Sequence, residues 1–378
     1  MLRPSRRILN IEDEFSKFVG FKGDNYIDLS VGIPGFDTPN FIKEAAYKSL
    51  KNGRTAYIST KGDEDLRELI ADMYSEKYGV DCKKENVVIT HGAKGAIFAL
   101  MQCYLNEGDE VLVQDPGWLS YTEIAKLANA IPKPLKALDG KNMADDAEEK
   151  IGEKTRMIIF STPSNPTGEV YKEKTLRRIS ELGEDNNIMI ISDEPYSEII
   201  FNGKRHISLG RFGLGNNVIV NSFSKTYAMS GWRIGYIIAE KEITDTIAKF
   251  LLHQVTCVAP FIQDAAREAI LRGDEIVKER CKIYERRMKL FLRNLTKELK
   301  GKKPEGTFYY FPSLEKLGVT AKEFTRKLAE KKVLAVPGYL FGIYGQNHIR
   351  FSFAKPEEDL IEGASRINEA VEEVISYM

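Results

Sequence analysis

Cysteine and histidine are scarce, with four of each in 378 residues, and both are scattered. Cys82, Cys103, Cys257 and Cys281 show neither metal-ligand spacing nor a disulfide-dense pattern, so reduced cysteines are expected. His91, His206, His253 and His348 are equally dispersed, and no metal centre is expected. Net charge is missing too: 55 Lys+Arg balance 55 Asp+Glu, which removes a global field toward nucleic acid or an anionic membrane. The apolar runs are far too short to span a bilayer. The basic start at Arg3, Arg6 and Arg7 is followed by Glu12, Asp13 and Glu14, without an apolar signal core. These absences predict a cytoplasmic protein that takes small polar metabolites, with no nucleic-acid or membrane partner. Repeats, low-complexity blocks and long Gly/Ser linkers are lacking as well, so any domain boundary must fall within structured elements.

With 43% hydrophobic residues the chain can bury a substantial core, and its length allows two unequal domains. From about residue 86, short apolar runs alternate with helical patterns, the signature of a mainly parallel sheet flanked by helices. The predicted strands are 87–90, 110–113, 157–160, 188–191, 218–220 and 235–238, with helices around 94–105, 119–129, 173–183 and 242–253. An amphipathic stretch, 275–300, reads as a helix leaving this sheet. It precedes a new series: an aromatic strand at 307–311, a helix near 321–332, strands at 333–336 and 348–353, and a helix from about 357. The expected fold is α/β, with a large domain at 46–280 and a smaller α+β domain formed from both chain ends, 1–45 and 281–378.

Chemistry concentrates just beyond strand ends, where open α/β sheets place ligands. Ser222-Phe223-Ser224-Lys225 follows one strand, and Arg233 follows eight residues later in Ser230-Gly231-Trp232-Arg233-Ile234-Gly235. A lysine there is either a solvated side chain or an amine able to form a Schiff base with a carbonyl cofactor such as pyridoxal phosphate, whose phosphate a hydroxyl and a guanidinium would hold. Thr90-His91-Gly92-Ala93-Lys94-Gly95 joins a strand to a helix, so its amides can bind an anion, although a plain strand-to-helix turn explains the motif equally. Asp193 in Asp193-Glu194-Pro195-Tyr196 is either an end-cap acid or the partner of a pyridinium nitrogen, with Tyr196 beside it. Asn165, in Ser164-Asn165-Pro166-Thr167-Gly168, is a turn residue that could donate to the same ring's phenolic oxygen. Trp118 is either a core residue or a surface for a flat ring.

The ordered set Gly92-Ala93-Lys94, Asn165-Pro166, Asp193-Glu194-Pro195-Tyr196, Ser222-x-Ser224-Lys225, Arg233 and Arg350 resembles the class I/II aminotransferases, and among them the aspartate aminotransferases of the bacterial and archaeal type. The similarity covers nearly the whole chain, and the joint order of the motifs is specific. It implies the fold-type-I architecture, pyridoxal 5'-phosphate as cofactor, and a homodimer with shared active sites. By this resemblance Lys225 is the Schiff-base lysine and acid/base, Asp193 the pyridinium partner, and Asn165 and Tyr196 the phenolic-oxygen partners. The phosphate falls to the Ala93 and Lys94 amides, Ser222, Arg233 and Ser224. Trp118 stacks on the ring, and Tyr57 reaches the neighbouring subunit's phosphate. Arg350 clamps the substrate α-carboxylate and Gly32 contacts it through the backbone.

The implied reaction is ping-pong transamination between amino acids and 2-oxo acids, with aspartate and 2-oxoglutarate favoured because the Lys94 ammonium could meet a distal carboxylate. The alternative keeps the Lys94 side chain in solvent and leaves aromatic or broad specificity. A carbon–sulfur lyase would retain the same cofactor residues, and a noncatalytic cofactor-binding regulator is a further alternative.

Overall fold

The computed structural model describes residues 2–14, 25–138 and 143–376, so residues 1, 15–24, 139–142 and 377–378 of the two expected domains lie outside the described residues. Its central sheet has the spatial order Val87–Thr90, Gly235–Ile238, Asn217–Ser222, Met189–Asp193, Thr155–Ser161, Glu110–Asp115, Ile131–Lys136. Gly235–Ile238 runs antiparallel to both neighbours, and the other pairings are parallel. The inner strands are Val/Ile-rich runs because both faces are covered. Along Thr155–Ser161 alternate residues face opposite layers. Met157 and Ile159 join Ala96 and Leu100 of the Gly92–Tyr104 helix, whereas Ile158 and Phe160 join Leu176 and Ile179 of Glu173–Asn186.

Ile131–Lys136 is a strand absent from the predicted set, because Pro132 and Pro134 interrupt the usual pattern. It is tolerated at the sheet edge. Ile131 N donates to Asp109 O and Ala137 N to Asp115 O, so odd-numbered residues face the neighbouring strand while the two prolines put their missing N–H on the outer side. The Asn40–Lys51, Glu64–Tyr78 and Pro260–Arg272 helices, also not among the predicted elements, bury Ile42, Ile70 and Ala266 with Ile89 at the opposite end of the sheet.

The smaller α+β part joins both chain ends. Ile27–Asp28 pairs in parallel with Val333–Leu334, and Ile349–Ser352 lies between Val336–Pro337 and Tyr309–Tyr310, antiparallel to each. Leu29, Phe291, Phe324, Phe351 and Ile367 share one core with Tyr196 and Phe201 of the larger part. The helix predicted at 275–300 stops earlier, at Asn294. A tertiary contact ends it: Asn368, on the Glu357–Ser376 helix, donates Nδ2 to Asn294 O and accepts from Thr296 N. Ala321–Glu330 begins with a reciprocal Thr320–Glu323 capping box.

Strand direction positions the site. The strands ending at Thr90, Asp115, Ser161, Asp193 and Ser222 all finish at the same sheet edge. The antiparallel strand starts there, with Gly235 in register with both Thr90 and Ser222. Arg233 is thereby delivered to the edge that carries Asp193 and Lys225.

Candidate active site

A cavity of ≈ 580 Å³ opens at this edge, lined from the large part by Ala93, Lys94, Trp118, Asn165, Asp193, Tyr196, Ser222, Ser224, Lys225 and Arg233. Gly32, Tyr309 and Arg350 close it from the smaller part. Its volume suits a cofactor with a small substrate. Twelve of the thirteen sequence-derived site residues therefore line one space. Tyr57 does not: it lies on the surface of this single chain, 83% exposed.

Lys225 sits in the short helical turn Phe223–Thr226 that follows Asn217–Ser222, and its Nζ donates to the Gly32 carbonyl. Loss of solvent lowers its amine to about 8, reinforced by Arg350 and opposed by Asp193. Asp193 ends its strand buried at the cavity wall, with Oδ2 accepting from the Tyr121 hydroxyl at 2.6 Å. Its buried Oδ1 has no hydrogen-bond partner among the described residues. Burial raises this carboxyl to about 7, against the Tyr121 hydrogen bond. The acid and the amine are displaced toward each other, the pattern expected where proton chemistry is done.

Arg350 is 2% exposed, an unusual setting for a guanidinium. Nη1 donates to Asn165 Oδ1 at 3.0 Å and Nη2 to Ser30 O at 2.6 Å. The group lies 4.3 Å from the Tyr309 ring centroid and 4.8 Å from that of Phe341. Nε has no hydrogen-bond partner among the described residues, and burial depresses the guanidinium's pKa. A buried cation whose hydrogen-bond partners among the described residues are neutral retains the charge and donors that a carboxylate would satisfy. Because Arg350 occupies Asn165 Oδ1, the Asn165 amide is oriented with its N–H groups available to the cavity.

At the opposite end, the Gly92–Tyr104 helix begins beside Arg233. Gly92 has φ +72°, and a Cβ there would lie 2.7 Å from Arg233 Nη2, so glycine allows the guanidinium to lie across the helix start. Arg233 itself is left-handed at φ +55°, with Nη1 donating to Ser230 O at 2.7 Å. Ala93 and Lys94 at the helix start, the Arg233 guanidinium, Ser222 and Ser224 line the cavity together, a set of donors able to cradle an anion. Lys94 Nζ rests 4.9 Å from the Trp118 ring centroid, and Trp118 meets Tyr121 edge-on at 5.4 Å. Tyr121, Tyr309, Ser30 and Phe341 were absent from the sequence-derived set. Tyr121 stands three residues after Trp118, and Tyr309 lies in the aromatic run already read as a strand, but neither position alone reveals its partner.

The family model Aminotransferase class I and II matches residues 24–367. The chain belongs to the class I and II aminotransferases. This aminotransferase is 38% identical to the aspartate aminotransferase of Pyrococcus horikoshii, over 93% of this chain and 92% of the relative. It also resembles the solved Thermus thermophilus aspartate aminotransferase with maleate, at TM-score 0.92 and 30% identity, covering 98% of this chain and 100% of that one. The solved aromatic aminotransferase from Pyrococcus horikoshii gives TM-score 0.89 at 34% identity, over 95% and 99% of the two chains. The aminotransferase depends on pyridoxal 5'-phosphate. The cavity fits that group: the unpartnered Asp193 Oδ1 is an acceptor for a protonated pyridine nitrogen, and the anion cradle suits a phosphate. No helix among the described residues is long and apolar enough to cross a membrane.

Proposed function

We propose that this aminotransferase moves the amino group of aspartate to 2-oxoglutarate in a ping-pong cycle. The observation that carries the reading is charge: Lys94, Lys225, Arg233 and Arg350 line a cavity whose acidic lining residue, among those described, is Asp193 alone. Such an excess of cations suits a phosphate together with a dicarboxylate. The names of the Pyrococcus and Thermus relatives agree with that choice.

When bound, pyridoxal phosphate supplies an aldehyde carbon that accepts the amino group and a ring that draws electrons from the substrate Cα. Ser222, Ser224, Arg233 and the amides of Ala93 and Lys94 hold the phosphate. Asp193 keeps the pyridine nitrogen protonated, while Asn165 and Tyr196 donate to the phenolic oxygen and Trp118 covers the ring. Lys225 serves as the Schiff-base lysine. With the cofactor bound, the free Nζ would take the proton from substrate Cα and hand it to the cofactor carbon that receives the amino group, and in the second half-cycle it would carry a proton from that carbon back to Cα of the new amino acid. Arg350 fixes the α-carboxylate through a planar guanidinium already oriented by Asn165, Tyr309 and Phe341, and Gly32 adds a backbone contact. Lys94 meets the distal carboxylate.

We further infer a division at 46–280 and 1–45 with 281–378, and a homodimer in which Tyr57 reaches the neighbouring site. The exposure of Tyr57 supports that assembly. Soluble, cytoplasmic operation agrees with the balanced charge of the sequence.

Initial rates with aspartate, glutamate, tyrosine, phenylalanine and alanine, each with 2-oxoglutarate, test the reading. Aspartate is expected to lead, with Lys94→Ala lowering its kcat/KM by about tenfold while alanine is little affected. Equal loss for both donors removes the distal contact. Aromatic specificity is the second reading, supported by the Lys94 ammonium resting on Trp118 in a cavity that Tyr309 also lines. It predicts tyrosine or phenylalanine leading the same screen.

A further inference from the structure

Tyr309 touches both halves of the site. Its buried hydroxyl lies 2.9 Å from Tyr196 Oη, and its ring carries the Arg350 guanidinium. The two phenol rings meet edge to face at 5.8 Å and 76°. The backbone around Tyr309 is held in place: Tyr310 pairs with Phe351 and Tyr309 with Ser352, while Tyr309 N donates to Thr307 Oγ1 at 3.1 Å. The opposite wall is closed by Gly32, where a Cβ would run into the Tyr309 hydroxyl.

Hydrogen-bond direction gives this arrangement a consequence. A phenol donates one proton, so when Tyr196 donates to the cofactor's phenolic oxygen its own oxygen can only accept from Tyr309. A phenol that accepts a hydrogen bond becomes a stronger donor. We propose that Tyr309 is a positioning residue: it donates to Tyr196 Oη, aims the Tyr196 proton at the phenolic oxygen of pyridoxal phosphate, and braces Arg350 with the same ring. This rests on the assignment of Tyr196 to that oxygen. Two duties then reside in separable parts of one side chain, the hydroxyl serving the cofactor and the ring serving the substrate carboxylate.

The test is a pH titration of holoenzyme absorbance together with steady-state kinetics for wild type, Tyr309→Phe, Tyr309→Leu, Tyr196→Phe and the Tyr196→Phe/Tyr309→Phe double variant. A donor to the phenolic oxygen stabilises its anion, so a weaker donor raises the pH at which the bound cofactor loses its proton. Tyr309→Phe is expected to raise the absorbance midpoint by about half a pH unit and to lower kcat severalfold, with KM for the amino acid nearly unchanged. Tyr196→Phe raises the midpoint further, and the double variant matches Tyr196→Phe alone. Tyr309→Leu also raises KM, because the brace under Arg350 is gone. A wild-type midpoint in Tyr309→Phe, with a shifted one in Tyr196→Phe, overturns the role of Tyr309. An unchanged midpoint in Tyr196→Phe overturns instead the assignment of Tyr196 on which it rests.

Discussion

Asp193 and Glu194 are adjacent, acidic and buried, yet the regions around them are built differently. Glu194 points into a closed region where its carboxylate accepts from Ser192 Oγ, Ser208 Oγ and Leu209 N and meets His206 Nε2 at 2.8 Å. Asp193 lines the cavity and, among the described residues, has a single side-chain donor, Tyr121, and one oxygen without a partner. The difference separates structure from function within one dipeptide. A buried carboxylate surrounded by donors organises the loop that follows it, whereas an under-satisfied one retains an acceptor that the proposed cofactor contact would use. Arg350 repeats the second condition with opposite sign: a buried cation with neutral partners and a spare Nε.

Variants can break this contrast. The largest effect belongs to Lys225→Ala, expected to reduce turnover by at least about 10⁴-fold with little change in the apo-protein melting temperature, because the Gly32 carbonyl loses its donor while the cost of burying the amine is relieved. Borohydride trapping of a cofactor adduct at normal levels in that variant contradicts the assignment. Next come the neighbouring acids. Asp193→Asn is expected to cost about 10³-fold in kcat while apo stability at neutral pH is kept or raised; Glu194→Gln is expected to lose about 2 kcal/mol of stability by denaturant unfolding, since an amide opposes donors. Reversal of that ranking would erase the distinction between the two regions. Arg350→Lys follows, with KM for amino acids rising about 10²-fold because an ammonium cannot reproduce the planar fork. Comparable KM values for both forms argue against a carboxylate at Arg350.

The smallest effect is in pH dependence. The folded-state Asp193 carboxyl is raised from 3.8 to about 7, so between these values the folded apo-protein holds more protons than the unfolded chain. Its contribution to stability is therefore present at low pH and is lost as pH rises through that window. Melting curves of apo wild type and Asp193→Asn from pH 5 to 8 should diverge in slope, the variant declining less. Parallel curves place Asp193 in a better-solvated setting. Lys225 moves the other way, since its amine is lowered to about 8, and it relieves a cost only as pH climbs from there toward its ordinary value of 10.5.

Much of the site was legible because its residues lie a few positions beyond strand ends. Asn165 follows Thr155–Ser161, Asp193 closes its own strand, and Lys225 follows Asn217–Ser222. Local apolar periodicity locates such ends, and turn chemistry marks what comes after them. The edge strand at Ile131–Lys136 escaped because tolerance of Pro132 and Pro134 depends on which side of the strand has no neighbour. Tyr121 escaped because its partner Asp193 is 72 residues away, and Tyr309 because Tyr196 is 113 residues away. Neither separation leaves a periodic signal.

From its own residues the sequence determined the alternation of strands and helices, the family, and the kinds of group that gather around Lys225, since all of these follow from local spacing and side-chain chemistry. Only the tertiary structure decided which groups are satisfied and which are left waiting. Asp193 and Glu194 are indistinguishable as neighbouring acids until packing gives one a full set of donors and leaves the other an open oxygen. Lys225 likewise is an ordinary amine until desolvation beside Arg350 and Asp193 brings it near 8.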